Sequence, residues 1–190
     1  MMQRLTAWFP VLLLAAVAAV TLWLDRQVQP PQVSDNGKTR HDPDYIVDNF
    51  TVTRIGLDGA VRYKLNARRM RHYPDDDTTL LDAPKVVNFR GAGVTMTATS
   101  KTATLSSNGE NAYLQDDVLL TRSPYENHSE LKMTTTWLHV VPDDGIAKTD
   151  KAVRIQDATT LITSDGLEFD NNTRILNLLS NVRGRYEKPR

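Results

Sequence analysis

The sequence contains no cysteine, which excludes disulfides, thiolate metal sites, a cysteine nucleophile and the acylated cysteine of a lipoprotein. Its 23 Lys and Arg residues equal its 23 Asp and Glu residues, and no block of like charge occurs. A nucleic-acid surface or a polybasic lipid-binding surface is therefore not indicated. Any attachment to a membrane must come from the chain itself.

Motifs for catalysis and cofactor binding are also missing. The four histidines lack the spacing of metal ligands, and there is no G-x-S-x-G, P-loop or dinucleotide fingerprint. The pairs Asp116-Asp117 and Asp143-Asp144 lie at or beside predicted strand ends, where Asx side chains commonly bond their own backbone. Calcium binding is the alternative for such carboxylates. We predict no catalytic residues, no cofactor and no metal site.

Residues 5–24 form a run without charged residues, Asn, Gln or His. As a helix this run would rise about 30 Å, which matches the hydrocarbon core of a bilayer. Trp8 and Trp23 lie where interfacial aromatic residues belong. A cleaved signal peptide is the alternative, because Ala16-Val17-Ala18 offers a small-x-small site. The apolar run continues to Leu24, however, so the sequence favours an uncleaved anchor.

The composition changes twice after the anchor. A stretch rich in Pro, Gln, Asp and Asn comes first, and from Tyr45 onward short Val-, Thr-, Ile- and Leu-rich runs alternate with turn signals. Because the N-terminal tail is so short, we expect the large polar C-terminal part to be the portion that crosses the membrane. The predicted order is a cytoplasmic tail (1–4), a transmembrane anchor (5–24), an extended linker (25–44) and a β domain on the non-cytoplasmic side (45–190).

Three segments of the β domain superimpose without gaps when Val118, Val153 and Val182 share one column. Each reads as a hairpin, with turns predicted at 106–109, 142–145 and 170–173. A looser fourth copy spans 63–89. Any β-meander would show some alternation, but the constant spacing favours true repeats. Stacked hairpins that close a common core follow from this pattern.

Alternation within the runs predicts one buried face and one wet face. In the last run Leu176, Leu178, Val182 and Tyr186 occupy even positions, and polar residues occupy most odd ones. An interior of this kind could hold acyl chains if it is partly unfilled. An ordinary filled sandwich core is the alternative.

The order of these features resembles the LptC family of lipopolysaccharide transport proteins of Gram-negative bacteria. The resemblance covers nearly the whole chain. It rests on the short tail and single span, then on Asp42-Pro43-Asp44-Tyr45, Asp58-Gly59-Ala60, Tyr63-Lys64-Leu65-Asn66-Ala67, Pro84, Thr163-Ser164-Asp165-Gly166-Leu167 and Arg185-Tyr186-Glu187. It implies an all-β fold, a partly open β-jellyroll of LptA/OstA-like stacked hairpins, preceded by a single transmembrane helix.

The resemblance also implies a function. LptC-like proteins are single-pass proteins of the inner membrane with a periplasmic C-terminal domain and no ATPase of their own. They receive lipopolysaccharide from the ABC transporter made of LptB, LptF and LptG and pass it to LptA.

We expect LptA at the C-terminal edge strand, and LptF/LptG at the N-terminal edge near 45–52 and at the transmembrane helix. The expected acyl-chain lining is Phe50, Leu65, Leu81, Leu105, Val118, Leu120, Leu176, Leu178, Val182 and Tyr186. The alternative is an anchored periplasmic scaffold with a filled β core and no lipid cargo.

Overall fold

The computed structural model describes residues 3–28, 41–90, 93–142 and 144–187. The chain divides into an N-terminal helical unit, 1–40, and a C-terminal β unit, 41–190. The elements are α1 (Gln3–Val28), β1 (Tyr45–Ile55), β2 (Val61–Tyr73), β3 (Thr78–Asp82), β4 (Lys85–Arg90), β5 (Val94–Thr99), β6 (Thr102–Leu105), β7 (Ala112–Arg122), β8 (Leu131–Val141), β9 (Ile146–Gln156), β10 (Thr160–Asp170) and β11 (Ile175–Tyr186).

Helix α1 contains the whole predicted anchor and continues through 25–28, which the sequence had assigned to the linker. Its segment Pro10–Val28 is long and apolar enough to cross a membrane. The rest of the predicted tail and linker, 1–2 and 29–40, lies outside the described residues.

We expect the mature protein to keep its N-terminus, and a variant lacking residues 1–40 to be soluble and folded. The reason is that the β unit begins at His41 and has its own hydrophobic clusters. N-terminal sequencing of membrane-extracted protein and circular dichroism of the truncated protein measure the two outcomes. A mature protein that began at Ala19 would show a cleaved signal peptide, and an insoluble truncated protein would contradict the domain boundary.

All strands of the β unit join one antiparallel sheet in the order β11-β10-β9-β8-β7-β5-β4-β2-β3-β6, with β1 on the other side of β2. Two of the long strands each pair with two short strands that follow one another along the long strand. Strand β2 pairs with β4 and then β3, and β7 pairs with β6 and then β5. Within the described residues, β1 pairs only with β2 and β11 only with β10. These two strands are the edges of the sheet.

The long strands bend near their midpoints. Left-handed backbone angles occur at the bends, with φ of 50° at Asn49, 58° at Asp116, 49° at Asp117 and 50° at Asn181. Asn and Asp tolerate this region better than other non-glycine residues. In β7 and β11 the cross-strand register shifts at the bend, as expected for β-bulges. The interpretation of Asp116-Asp117 as strand-end residues is therefore wrong, because both lie in the middle of β7.

The bends let each long strand contribute to two halves of the sheet that enclose a common interior. The main hydrophobic cluster includes Leu114 and Leu138 from one half and Val118 from the other. This is the β-jellyroll-like sheet that the sequence predicted. The predicted hairpins are present as the pairs β6–β7, β8–β9 and β10–β11.

Candidate lipid-binding groove

The interior of the β unit holds two hydrophobic clusters. The first is centred on Leu81, Val118 and Leu138, which are 2%, 1% and 0% exposed. The second is formed by Val153, Ile155 and Leu167, close to β11. The side chains at the centre of the sheet are thus as fully buried as those of an ordinary protein core.

Buried hydroxyl groups mark the bends on the inner side. The four buried polar residues of the described part of the chain, Ser100, Thr135, Thr149 and Ser164, each bond the backbone two residues further on. Ser164 Oγ, for example, donates to the carbonyl of Gly166 at 3.1 Å. A bend interrupts the ladder and leaves backbone groups without cross-strand partners, so these hydroxyls lower the cost of bending a strand inside an apolar interior.

The predicted lining residues fall into three groups by exposure. Leu81 and Val118 are fully buried. Five others are partly buried and pack on the clusters: Phe50, Leu65, Leu105, Leu120 and Leu178. The remaining three, on β11, are exposed: Leu176 at 43%, Val182 at 52% and Tyr186 at 69%.

The exposed residues of β11 still face the interior side of the sheet. Leu176 lies opposite Phe169, and Gly184, between Val182 and Tyr186, lies opposite Ile162. Directly opposed residues of antiparallel strands share a face, and both Phe169 and Ile162 pack on the second cluster. The interior face is therefore apolar up to the last strand, where it opens to solvent.

The other edge shows the same pattern. Val47 and Val52 of β1 lie opposite Met70 and Leu65, which pack on the first cluster, yet they are 37% and 45% exposed. The groove therefore has a filled middle and two open apolar ends. Leu138, Ile155 and Leu167 were not among the predicted lining residues, although their strands show the same alternation.

A cleft of about 870 Å³ lies along the bends of β7 to β11. Most of its lining residues are polar types, among them Thr134, Thr163, Arg154 and Arg183. These four side chains are cross-strand partners in one row. The row lies on the opposite parity from Val153 and Ile155. Val118 and Val153 also line the cleft, so it borders both hydrophobic clusters.

A family model described as "Lipopolysaccharide-assembly, LptC-related" matches residues 11–187. This chain belongs to the LptC family. A search of curated proteins found no match. Among solved structures, the fold of this chain is similar to that of LptH from Pseudomonas aeruginosa. LptH is described as the LptA-homologous periplasmic component of the lipopolysaccharide transport device. The identity is 11%, the TM-score is 0.52, and the match covers 66% of this chain and 95% of that chain, which shows a shared fold.

Membership of the LptC family supports a role in the lipopolysaccharide transport bridge, and the LptA-like fold is consistent with that role. The apolar helix α1 fits a membrane-anchored periplasmic protein.

Charged side chains lie at both edges of this LptC-family β unit. At the β1 edge Arg69 donates to Asp48 at 2.6 Å, and this bond holds the pKa of the Asp48 carboxyl below its ordinary value. At the β11 edge Arg185 pairs with Glu187 at 2.8 Å, and Arg183 is exposed. Lys188 and Arg190 lie outside the described residues. Cationic side chains on an edge strand discourage self-pairing and favour an acidic partner.

A second charged group lies where the chain enters the β unit of this LptC-family protein. Ligand-type atoms of His41, Asp75 and Asp76 come within 4.8 Å of one another. Nδ1 of His41 already bonds Oδ2 of Asp75 at 2.9 Å, and all three residues are exposed. We interpret the group as an ion pair beside a second carboxylate.

Proposed function

We propose that this protein is the inner-membrane-anchored periplasmic component of the lipopolysaccharide transport bridge. It receives lipopolysaccharide from the LptB/LptF/LptG transporter and passes it to LptA. The observation that carries the proposal is the apolar interior face that stays open at both edge strands. Family membership and the LptA-like fold support it.

The physical basis is the cost of exposing acyl chains to water. Burial contributes about 0.8 kcal/mol per methylene, so a lipid with many chains needs a continuous apolar path between proteins. The groove's open ends, with Val47 and Val52 on β1 and Leu176 and Val182 on β11, offer apolar surface where neighbours would join. Sugars and phosphates would project from the open side.

Both neighbours are proposed to add strands to the sheet. An edge strand has unpaired N–H and C=O groups that a partner strand can pair with. LptF/LptG would use β1 together with α1, and LptA would use β11. Each added strand would extend the interior face, so the lipid could move between domains without meeting bulk water.

The filled middle of the groove favours the second candidate, an anchored periplasmic scaffold without lipid cargo. Leu138 and Val118 of the central strands are 0% and 1% exposed. Under this candidate the exposed apolar side chains of β1 and β11 contact only partner proteins. Native mass spectrometry of the purified protein with lipopolysaccharide separates the two, because only a carrier forms a saturable lipid complex.

A photocrosslinking residue should capture lipopolysaccharide at Leu178 or Val182 and capture little at Arg183. Val182 and Arg183 are neighbours on the same edge strand and both are exposed, but they lie on opposite faces of the sheet. The pair therefore controls for accessibility and for distance from the membrane. Crosslink yield in intact cells, detected with an antibody against the lipid, is the measurement.

Equal yields at Val182 and Arg183 would contradict the assignment of the interior face as the lipid path. No lipid adduct at any interior position, with partner crosslinks still formed at β11, would leave the scaffold candidate in its place.

A further inference from the structure

Two ring stacks join the residues that enter the β unit to the end of the β2–β3 hairpin. The ring of His41 lies on Tyr73 with centroids 3.9 Å apart and an interplanar angle of 2°. The ring of Tyr45 lies on His72 with centroids 4.7 Å apart and an angle of 9°. Each side thus supplies one histidine and one tyrosine. We call this group, with the carboxylates that bond it, the N-terminal clasp.

Carboxylates hold both histidines of the clasp. His41 Nδ1 bonds Asp75 at 2.9 Å, while His72 bonds Asp44 through Nδ1 at 2.8 Å and Asp77 through Nε2 at 2.9 Å. A neutral imidazole has one N–H, so His72 can donate to two carboxylates only as an imidazolium. The ring then links the entering chain, through Asp44, to the hairpin turn, through Asp77.

The charges around the two rings all favour the protonated form. Asp75, Asp76 and Asp42 face His41, and Asp44 and Asp77 face His72. Hydrogen bonding to Asp75 raises the pKa of His41, and hydrogen bonding to Asp44 and Asp77 raises the pKa of His72.

The clasp lies at the start of an edge strand that has little buried surface. In β1 the side chains from Tyr45 to Asn49 are all exposed, and among the described strands β1 pairs with β2 alone. The bend at Asn49 separates this first half from the second half, where Phe50 packs on the main cluster. Few buried contacts hold the first half, and such segments open locally. The clasp continues the β1–β2 ladder outward, since the Asp44 amide donates to the His72 carbonyl at 3.1 Å.

We propose that the N-terminal clasp holds the first half of β1 in its extended conformation and so prepares that edge for strand addition by the transporter. The role rests on the proposed function, in which LptF/LptG pairs with β1. An edge that is already ordered loses less conformational entropy when a partner strand adds to it, and the partner consequently binds more tightly.

The test compares full-length protein with His72→Gln and His41→Gln variants. Hydrogen exchange of residues 45–48 should become several-fold faster in both variants, while exchange in β7 and β8 stays unchanged. Co-purification of LptF/LptG should fall several-fold. His128→Gln is the matched control, because His128 stacks on Tyr125 at 4.7 Å in the β7–β8 connection and should change neither measurement.

The support that the clasp gives to β1 should depend on pH, because it requires the protonated histidine rings. Because the folded pKa of each histidine is raised, the support is fully present below the ordinary imidazole pKa of about 6.5 and is lost as pH rises through the folded pKa. The exchange difference between the His72→Gln variant and the unmodified protein, normalised to β7 and β8, should therefore shrink as pH rises.

Two results would overturn the proposal in different ways. Unchanged exchange at 45–48 in both variants would show that the clasp does not order β1, whatever the transporter does. Faster exchange with undiminished co-purification would show that the transporter does not need an ordered β1. That second result would also count against the N-terminal edge assignment in the proposed function, whereas the first would leave it standing.

Discussion

Replacing Leu138 with alanine should lower the free energy of unfolding of the β unit by about 2–5 kcal/mol. Leu138 is 0% exposed and belongs to the main cluster, where Leu114 lies directly opposite it. The substitution removes buried methyl groups and leaves a cavity that the two sheet halves can close only in part. Urea unfolding of the variant should show a lower midpoint with an unchanged slope.

Leu176→Ala is the matched control, because it removes the same atoms from the same interior face. Leu176 lies on the edge strand and is 43% exposed, so its replacement should cost less than about 1 kcal/mol. The difference between the two losses in free energy of unfolding measures how much less buried the interior face is at β11 than at the central strands. Equal losses at the two positions would show that the β11 end is closed in solution, and the open-ended groove would then be wrong.

The strands and hairpins could be predicted because they depend on local patterns. Alternating apolar residues identified the strands, and turn residues such as Asn108-Gly109 placed the hairpins. The shared column of Val118, Val153 and Val182 coincides with the strand bends. The cross-strand register shifts at or close to each valine, at residues 116–117, 150–151 and 181–182.

The bends themselves could not be predicted from the same patterns. Asp116 and Asp117 have the side chains of turn residues, and a hairpin turn and a mid-strand bulge use the same left-handed conformation. Only the cross-strand pairing of β7 with β8 on both sides of the pair distinguishes them.

The sequence predicted which face of each strand points to the interior, but it did not predict how exposed the side chains on that face are. Alternation placed Val118 and Val182 on the same face, and the structure agrees, yet one is 1% and the other 52% exposed. The difference arises because β7 has neighbours on both sides whereas β11 has one. The position of a strand within the sheet is a long-range property, as is the contact of His41 with Asp75, which are 34 residues apart in the chain.

Removing residues 180–190 should abolish LptA binding while anchoring and transporter association remain. The truncation cuts β11 at the bend marked by Asn181 and removes the half that pairs with residues 160–163 of β10. The edge that LptA is proposed to extend would then be missing, together with Val182 and Tyr186 of the open interior face. Co-purification of full-length and truncated protein with each partner is the measurement.

Two controls separate loss of the edge from loss of the fold or of charge. The truncated protein should keep a cooperative circular-dichroism melt, because both hydrophobic clusters lie before residue 180. An Arg183→Glu variant keeps the whole strand and reverses an exposed charge, so it should weaken LptA binding in a salt-dependent way and not abolish it. If the truncated and still folded protein bound LptA normally, the partner would have to contact another surface, and β11 would have to be rejected as the exit of the lipid path.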